Sequence, residues 1–215
     1  MDVDFIYLAS QSPRRRQLLE QLGVPPRLLL PDDAAAAEAL EAVRPGESPG
    51  RYVRRVTRLK LDAAVQRLAA QGLPAAPVLC ADTTVALGPD ILGKPRDAHE
   101  AAHMLRRLGG GTHRVITAVA VQAGGARHEA VSDSRVRFAV LSHDDVTAYV
   151  ASGEWQGKAG AYAIQGRAAA FIEHISGSYS GIMGLPLFET AQLLRQAGVR
   201  HWALMTDHPP CSKTS

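Results

Sequence analysis

The chain has 215 residues, of which 46% are hydrophobic and 21% are charged, a composition typical of globular proteins. A formal net charge of +3 is too small to indicate a nucleic-acid partner, and no apolar run approaches the ~20 residues of a membrane-spanning helix. The first residues show no basic region followed by an apolar one, and the two cysteines form no disulfide framework. We therefore expect a cytoplasmic protein with one domain over residues 1–208 and a disordered polar tail over 209–215.

The stretch 8–16, LASQSPRRR, joins a short apolar run to the start of a helical pattern. Residues 5–8 predict a strand, and Ser12 before Pro13 is typical of a helix N-cap followed by the first helical residue. Unpaired backbone amides, the positive end of the helix dipole and three consecutive arginines would then converge, namely Arg14, Arg15 and Arg16. Cations oppose the dipole there unless an anion lies among them, so the stretch predicts a phosphate site rather than a solvated arginine face.

Strand and helix patterns alternate along the rest of the chain. The predicted strands cover residues 27–30, 78–81, 85–87, 115–122, 130–141 and 169–175, with an extended segment over 91–95. The predicted helices cover residues 48–71, 98–108, 142–151 and 187–197, with Ser48, Asp97 and Ser142 as N-caps. Residues 32–37 and 176–184 are predicted loops, and Gly124-Gly125 is the predicted turn of a hairpin. This order predicts an α/β fold with a central mixed, twisted sheet flanked by helices.

Three of the four lysines fall inside short motifs, in a chain that has twenty arginines. Lys60 lies in the long helix, Lys94 in ILGKP, and Lys158 before a glycine-rich segment. A compact ammonium group suits a phosphate oxygen or a proton transfer. Gln165, in the glycine-rich segment, has an amide that could bind a base edge, although the segment could equally be a tightly packed loop.

Asp82 follows a buried strand run and precedes two threonines. One interpretation is a turn residue at the end of a strand. The other is a carboxylate that holds Mg²⁺ or orients a water molecule at the carboxyl end of a strand, where α/β folds place their chemistry. The residues alone leave both interpretations open.

Two other patterns resemble known motifs and are rejected. Residues 88–95 approach a P-loop, but Pro95 stands where a hydroxyl must bind Mg²⁺ and has no amide to offer a phosphate. Residues 99–103 match the zinc-protease pattern H-E-x-x-H, but His99 and His103 would lie opposite the apolar stripe of their helix, beside arginines. Neither pattern predicts a site.

Six motifs occur in an order that resembles the Maf family of nucleoside triphosphate pyrophosphatases, over roughly residues 5–200. They are LASQSPRR, ADTTV, ILGKP, GGTHRVITAVAV, KAGAYAIQG and GSYSGIMGLPL. KAGAYAIQG is similar to the family branch that prefers dTTP and UTP rather than 7-methyl-GTP. The resemblance implies a Maf/ITPase-like fold with two lobes around a nucleotide cleft, a housecleaning role, a Mg²⁺ or Mn²⁺ cofactor and a possible homodimer.

The same resemblance implies roles for individual residues. Asp82 would be the catalytic residue, activating water or binding the metal ion. The residues that bind the triphosphate or otherwise handle the substrate would be Ser10, Arg14, Arg15, Lys60, Lys94 and Gln165. Attack on the α-phosphorus would yield a nucleoside monophosphate and pyrophosphate, through a transition state that calls for fixed cations and Mg²⁺.

One position departs from the family pattern, in which a glutamate follows the second strand. Here residues 31–38 are PDDAAAAE, and an alanine occupies the position expected for the glutamate. Asp32, Asp33 or Glu38 could take its place, and Asp33 is our candidate for a second metal ligand. Metal affinity is the property that this departure puts in question.

Two alternative functions remain open at this stage. The chain could be a nucleotide- or nucleic-acid-binding regulator of septum formation with weak or no catalysis. Its many arginines suit that hypothesis, but they are scattered, and only 5% of the residues are aromatic. The chain could also be a pyrophosphatase for purine or 7-methyl-GTP nucleotides, against which only KAGAYAIQG argues.

Overall fold

The computed structural model describes residues 5–199, so the predicted domain end at 208 and the tail over 209–215 lie outside the described residues. The strands are β1 (Ile6–Leu8), β2 (Pro26–Leu28), β3 (Val78–Leu87), β4 (Asp90–Leu92), β5 (Thr112–Ala123), β6 (Ala126–Phe138) and β7 (Ile172–Ser176). The α-helices are α1 (Pro13–Gln21), α2 (Ala34–Ala39), α3 (Pro49–Ala70), α4 (Ala98–Leu108), α5 (His143–Ala151), α6 (Tyr179–Met183) and α7 (Leu187–Gln196). Two short 3-10 helices cover Ala159–Ala161 and Arg167–Phe171.

All seven strands belong to one mixed sheet with the order β2-β1-β3-β5-β6-β7, and β4 also pairs with β3. β1 is parallel to β2 and β3, while the other pairings are antiparallel. The long β5–β6 hairpin turns at Gly124-Gly125, as predicted. The predicted α/β fold with a central mixed sheet flanked by helices is therefore confirmed.

Helices cover both faces of β3, because successive side chains on a strand point to opposite faces. Val78 and Cys80 pack with Leu61 of α3 on one face. Leu79 packs with α1 and α7 on the other face, while Val85, farther along that same face, packs with α4 and α5. The core on the α1 side is thus divided into two clusters along the length of β3.

β3 is much longer than its neighbour β1, and this difference leaves a gap in the sheet. β1 pairs with β3 only at Val78 and Leu79, and β4 pairs along the same edge from Val85 to Leu87. Between them, residues 80–84 have no strand partner on that edge within the described part of the chain, although β5 pairs with them on the other. Asp82 and Thr83 therefore lie beside an opening between two strands.

Several predicted boundaries were wrong. Asp82 lies inside β3 rather than at a strand end, because the ladder with β5 continues without interruption from Val78 to Ala86. The predicted loop over 32–37 contains most of α2, whose first amides bind the carboxylate of Asp33. The predicted loop over 176–184 contains α6, and residues 169–171 form a 3-10 helix before β7.

Two of the four predicted helix caps act as expected. The side chains of Asp97 and Ser142 accept hydrogen bonds from the first turns of α4 and α5. Ser12 and Ser48 stand at the N-cap positions, but neither side chain caps its helix. The first turn of α1 therefore has no side-chain cap, although its amides face outward from a helix N-terminus. Within residues 5–199, no helix is both long and apolar enough to cross a membrane.

Candidate active site

A lysine joins two carboxylates on the α3 face of the sheet. Lys60 Nζ, on α3, lies 2.6 Å from Asp82 Oδ1 and 2.6 Å from Glu41 Oε1. Lys94 Nζ, just after β4, lies 2.9 Å from Glu41 Oε2. The four side chains, Glu41, Lys60, Asp82 and Lys94, form what we call the carboxylate–lysine cluster. It combines residues from four separate segments at the gap beside β3.

Charge pairing outweighs burial within this cluster. Burial alone would raise the pKa of Glu41, but the ammonium groups of Lys60 and Lys94 more than offset it, and the pKa of Glu41 lies below its usual value. Burial alone would lower the pKa of Lys60, but Asp82 and Glu41 raise it above its usual value. Glu41 is therefore anionic and Lys60 cationic at neutral pH.

Glu41 is the residue that the sequence analysis missed. Asp32, Asp33 and Glu38, the candidates considered there, lie before or within α2, whereas Glu41 lies after it. A count forward from β2 stops short of Glu41, because α2 lies between them. Glu41 is the last carboxylate before the Pro45-Gly46 break, and a count back from that break is the signal that could have found it.

Asp33, the candidate second metal ligand, has a local partner instead. Its Oδ1 accepts hydrogen bonds from the amides of Ala35, at 2.8 Å, and Ala36, at 3.1 Å. This carboxylate caps α2, and the structure brings Glu41 rather than Asp33 into contact with Lys60.

Arg15 occupies the α1 side of the gap and is held only by neutral acceptors. Its Nε donates to the carbonyl oxygen of Gly184 at 2.8 Å. Its Nη1 donates to Ser10 Oγ and its Nη2 to Thr83 Oγ1, both at 3.2 Å. Among residues 5–199, no carboxylate forms an ion pair with this guanidinium. Arg15 is thus fixed in direction while no described carboxylate neutralises its charge.

Arg14 and Lys158 extend this positive region. Burial, and then the charge of Arg15, lower the pKa of Arg14, whose Nε is buried with no hydrogen-bond partner in the described structure. Burial, and then the charge of Arg14, lower the pKa of Lys158, whose Nζ donates, among residues 5–199, to the carbonyl oxygen of Gln156 alone. We call Arg14, Arg15 and Lys158 the cation cluster. A group of positive side chains beside a helix N-terminus without a side-chain cap is an arrangement that can bind a polyanion.

Hydroxyl groups connect the cation cluster to the middle of the sheet. The hydroxyls of Thr83 and Thr117 lie 2.9 Å apart, and Thr117 Oγ1 donates to the carbonyl oxygen of Gly181, on α6, at 2.7 Å. Ser10 Oγ also accepts a hydrogen bond from the amide of Ser12 at 3.2 Å. Every link runs through a neutral group, so Arg15 is oriented without being neutralised.

The glycine-rich segment is fixed against the lysine-bearing turn by its backbone. The amide of Gly160 donates to the carbonyl oxygen of Gly93, the neighbour of Lys94, at 3.0 Å. Gly160 has φ +68°, and a Cβ there would approach the Val85 side chain to 2.9 Å, so glycine is required. Farther along, the Tyr162 hydroxyl and His113 Nε2 lie 2.8 Å apart in the core. Gln165 projects to solvent from this fixed segment.

The structure therefore brings the predicted residues together in two groups on opposite faces of β3. Ser10, Arg14 and Arg15 lie on one face, and Lys60, Asp82 and Lys94 lie on the other. Asp82 and Thr83 are adjacent in sequence and contact one group each, so the two groups meet at the gap. A ligand that spans both would pass through this opening.

Glu41 and Asp82 are the residues that could hold a metal ion. Within residues 5–199, no set of three or more His, Cys, Asp or Glu side chains converges on one point. Mg²⁺ commonly takes only one or two protein carboxylates and completes its shell with water and phosphate oxygens. The pair fits such an ion, with a nucleotide as the source of the remaining oxygens.

The two rejected motifs, at residues 88–95 and 99–103, lie in the β3–β4 region and on α4. His99 and His103 are exposed, while Ala101, Met104, Leu105 and Leu108 of the same helix are buried. Residues 88–95 form the β3–β4 turn, β4 itself and the lysine that binds Glu41.

Comparison with known proteins identifies one family over almost the whole described chain. The sequence model of the family described as "Maf-like protein" matches residues 5–197. A protein of Albidiferax ferrireducens named "dTTP/UTP pyrophosphatase" is 64% identical over 197 residues, which cover 92% of this chain and 98% of the relative. Proteins with the same name from Polaromonas sp. and Cupriavidus metallidurans are 66% identical over 197 residues and 64% identical over 194 residues. These matches cover 92% and 90% of this chain and 98% and 97% of the two relatives.

Proposed function

The chain belongs to the Maf family, and from that premise we propose that it is a nucleoside triphosphate pyrophosphatase that hydrolyses dTTP, UTP and related or modified pyrimidine nucleotides. The products are the nucleoside monophosphate and pyrophosphate, and the role is housecleaning of the nucleotide pool. Relatives 64% and 66% identical carry the name dTTP/UTP pyrophosphatase, and each match covers nearly all of both proteins.

The observation that carries this proposal is the division of charge across the gap. The cation cluster on one face has no carboxylate partner in the described chain. The carboxylate–lysine cluster on the other face contains two carboxylates, Glu41 and Asp82, beside the gap. A triphosphate needs both parts. Its phosphate oxygens need fixed cations, and the attack on phosphorus needs a group that orients the nucleophile.

We assign the reaction steps to individual residues as follows. Asp82 accepts a hydrogen bond from the attacking water and takes its proton as the water oxygen bonds to the α-phosphorus. The bond from the α-phosphorus to the oxygen that bridges to the β-phosphate then breaks, and pyrophosphate leaves with that oxygen. Arg14, Arg15 and Lys158 hold the β- and γ-phosphates and stabilise the charge that develops on the leaving group.

Lys60 and Lys94 hold the other half of the site in position. Lys60 keeps Asp82 and Glu41 close together, and Lys94 orients the second oxygen of Glu41. A divalent ion, Mg²⁺ or Mn²⁺, would be held by Glu41 and Asp82 and would supply additional neutralisation of the phosphate charge. Gln165, on the fixed glycine-rich segment, remains our candidate for contact with the base.

The decisive test measures pyrophosphate release from a panel of nucleotides in the presence of Mg²⁺. The panel contains dTTP, UTP, CTP, ITP, GTP and 7-methyl-GTP, and Asp82→Asn is assayed beside the wild type. We expect turnover of dTTP and UTP, and a loss of roughly a thousandfold or more in Asp82→Asn, whose far-ultraviolet circular dichroism should match that of the wild type. Preference for a purine nucleotide or for 7-methyl-GTP would refute the proposed pyrimidine specificity. No turnover of any nucleotide would refute the proposed pyrophosphatase activity.

Two further proposals concern the setting of the enzyme. We propose that it acts in the cytoplasm, where the nucleotide pool is, and that it forms a homodimer. Phe188 on α7 and Tyr179 on α6 are large apolar side chains that remain exposed, by 74% and 47%, and a second copy of the chain could cover them. Sedimentation of the wild type beside Phe188→Glu tests the dimer, since a monomeric wild type would contradict it.

A further inference from the structure

Glu41 lies on a segment that has no regular secondary structure of its own. Residues 40–48 connect α2 to α3 without belonging to either helix. A functional carboxylate on such a segment needs other groups to hold it, because a displacement of about 1 Å is enough to weaken a site. We propose that Arg55, Tyr52 and Glu47 form a clamp that positions Glu41, and that the clamp thereby sets the metal affinity of the site.

Arg55 holds the segment from the side of α3. Its Nε donates to Glu47 Oε1 at 2.7 Å and its Nη2 donates to Glu47 Oε2 at 2.6 Å, a bidentate arrangement. The same Nη2 donates to the carbonyl oxygen of Ala42, the residue next to Glu41, at 2.9 Å. Only 17% of the Arg55 side chain and 10% of the Glu47 side chain are exposed, so solvent screens this pair less than a surface pair.

Tyr52 holds the neighbouring peptide. Its hydroxyl donates to the carbonyl oxygen of Glu41 at 3.0 Å. The Arg55 guanidinium lies 5.6 Å from the centre of the Tyr52 ring, within the range of a cation–π contact. Tyr52 is buried with Val53 and Val56 of α3 against Ile116 and Ala118 of β5. Two consecutive carbonyl groups, those of residues 41 and 42, are thus fastened to a helix that is packed on the sheet.

The clamp acts on the backbone and leaves the Glu41 carboxylate to the lysines. Arg55, Tyr52 and Glu47 are therefore positioning residues. Their assigned role in metal binding rests on the proposed function, in which Glu41 is a metal ligand. Outer contacts that orient a metal ligand typically change metal affinity or activity by about 10- to 100-fold when they are removed.

The same helix offers a matched control. Arg58 lies three residues after Arg55 and also forms a bidentate pair, with Glu129 of β6, through distances of 2.7–2.9 Å. Within the described part of the chain, the side-chain hydrogen bonds of Arg58 go to Glu129 and none goes to residues 40–48. Arg58→Ala therefore removes an arginine and a paired carboxylate contact from the same helix without touching the clamp.

The test compares Arg55→Ala, Tyr52→Phe and Arg58→Ala by two measurements that need no turnover. The first is amide hydrogen exchange in peptides that cover residues 40–48. The second is the dissociation constant for Mn²⁺ without nucleotide, measured by electron paramagnetic resonance. We expect Arg55→Ala to accelerate exchange in that segment at least tenfold and to weaken Mn²⁺ binding about tenfold. Tyr52→Phe should shift both in the same direction by less, and Arg58→Ala should shift neither.

Kinetic constants complete the comparison. We expect the metal concentration that gives half-maximal turnover of dTTP to rise about tenfold in Arg55→Ala, while KM for dTTP at saturating metal changes little, because Glu41 lies apart from the cation cluster that holds the phosphates. Equal exchange in Arg55→Ala and Arg58→Ala would overturn the clamp, and so would faster exchange with unchanged Mn²⁺ affinity in both clamp variants. An inactive wild type would overturn the proposed function alone, since exchange would still show whether the clamp holds the segment.

Discussion

The Lys60 ammonium nitrogen lies 2.6 Å from a carboxylate oxygen of Asp82, although the two residues are on a helix and a strand that are 22 residues apart in sequence. The same nitrogen lies 2.6 Å from Glu41. Two carboxylates that share one ammonium group are kept close without repelling each other.

Replacement of Lys60 by methionine should separate the two carboxylates. A methionine has a similar length but no charge, so Asp82 and Glu41 would repel each other in a largely buried place. We expect kcat for dTTP to fall roughly a hundredfold or more and the free energy of unfolding to fall by about 3 kcal/mol. Steady-state kinetics and urea unfolding measure the two effects. An active Lys60→Met would show that the ammonium is dispensable.

Replacement of Arg15 by lysine should weaken substrate binding although the positive charge remains. The guanidinium reaches Gly184, Ser10 and Thr83 with three different nitrogens, and a single ammonium cannot reproduce that geometry. We expect KM for dTTP to rise about tenfold or more, which corresponds to roughly 1.4 kcal/mol. Arg16→Lys is the control, because Arg16 is exposed and pairs only with Glu20 one turn away. Equal KM values in both variants would remove Arg15 from the phosphate site.

His113 should make the protein less stable as the pH falls below neutrality. Burial lowers the pKa of His113 from 6.5 to about 4. The stability that its neutral form contributes is complete above pH 6.5 and is lost as the pH falls toward 4, because only the unfolded chain binds the proton readily. The loss at pH 4 should be on the order of 3 kcal/mol at most.

The pH effect is measured by urea unfolding between pH 4 and pH 7 in the wild type and in His113→Phe. The variant loses its contact with Tyr162, so its stability at pH 7 falls, but its stability should decline less between pH 6.5 and pH 4. His103→Gln, at an exposed histidine, should keep the slope of the wild type. An unchanged slope in His113→Phe would assign the decline to other groups.

Replacement of Gly160 by alanine should disturb the glycine-rich segment. A methyl group there meets the Val85 side chain at 2.9 Å, and the backbone has φ +68°. Gly157, with φ +66°, has no atom near its would-be Cβ, so Gly157→Ala carries the conformational cost alone. We expect a loss of about 1 kcal/mol for Gly157→Ala and of about 2 kcal/mol or more for Gly160→Ala, both measured by urea unfolding. Equal losses of unfolding free energy in the two variants would show that the Val85 side chain can move to make room for the methyl group.

The sequence was sufficient for the fold class, and several of the residues that it singled out lie close together in the structure. Arg14 and Arg15 follow a strand and begin a helix. That local order predicts an anion site without any knowledge of the tertiary structure. Lys60, Asp82 and Lys94 were identified from motifs, and they do meet in the structure. The six motifs identified the correct family, because their residues and their order can be read directly from the sequence.

The position of Asp82 shows where local patterns fail. A buried run followed by aspartate is typical of a strand end, yet β3 continues for five residues beyond it. The continuation depends on β5, which pairs with β3 from residue 78 to residue 86. Whether a strand ends at a polar residue is therefore decided by the neighbouring strand, which lies far away in sequence.

By itself, the sequence determined which residue types the site contains and which of them begin a helix or belong to a strand. Only the tertiary structure decided that Glu41 is the partner of Lys60 and Lys94, because Glu41 lies after α2 on a segment whose backbone is bound by Tyr52 and Arg55. The structure also decided that the cations and the carboxylates face opposite sides of β3. The physical reason is that local order follows from short-range backbone and side-chain preferences, whereas the meeting of charges from four distant segments follows from packing across the sheet.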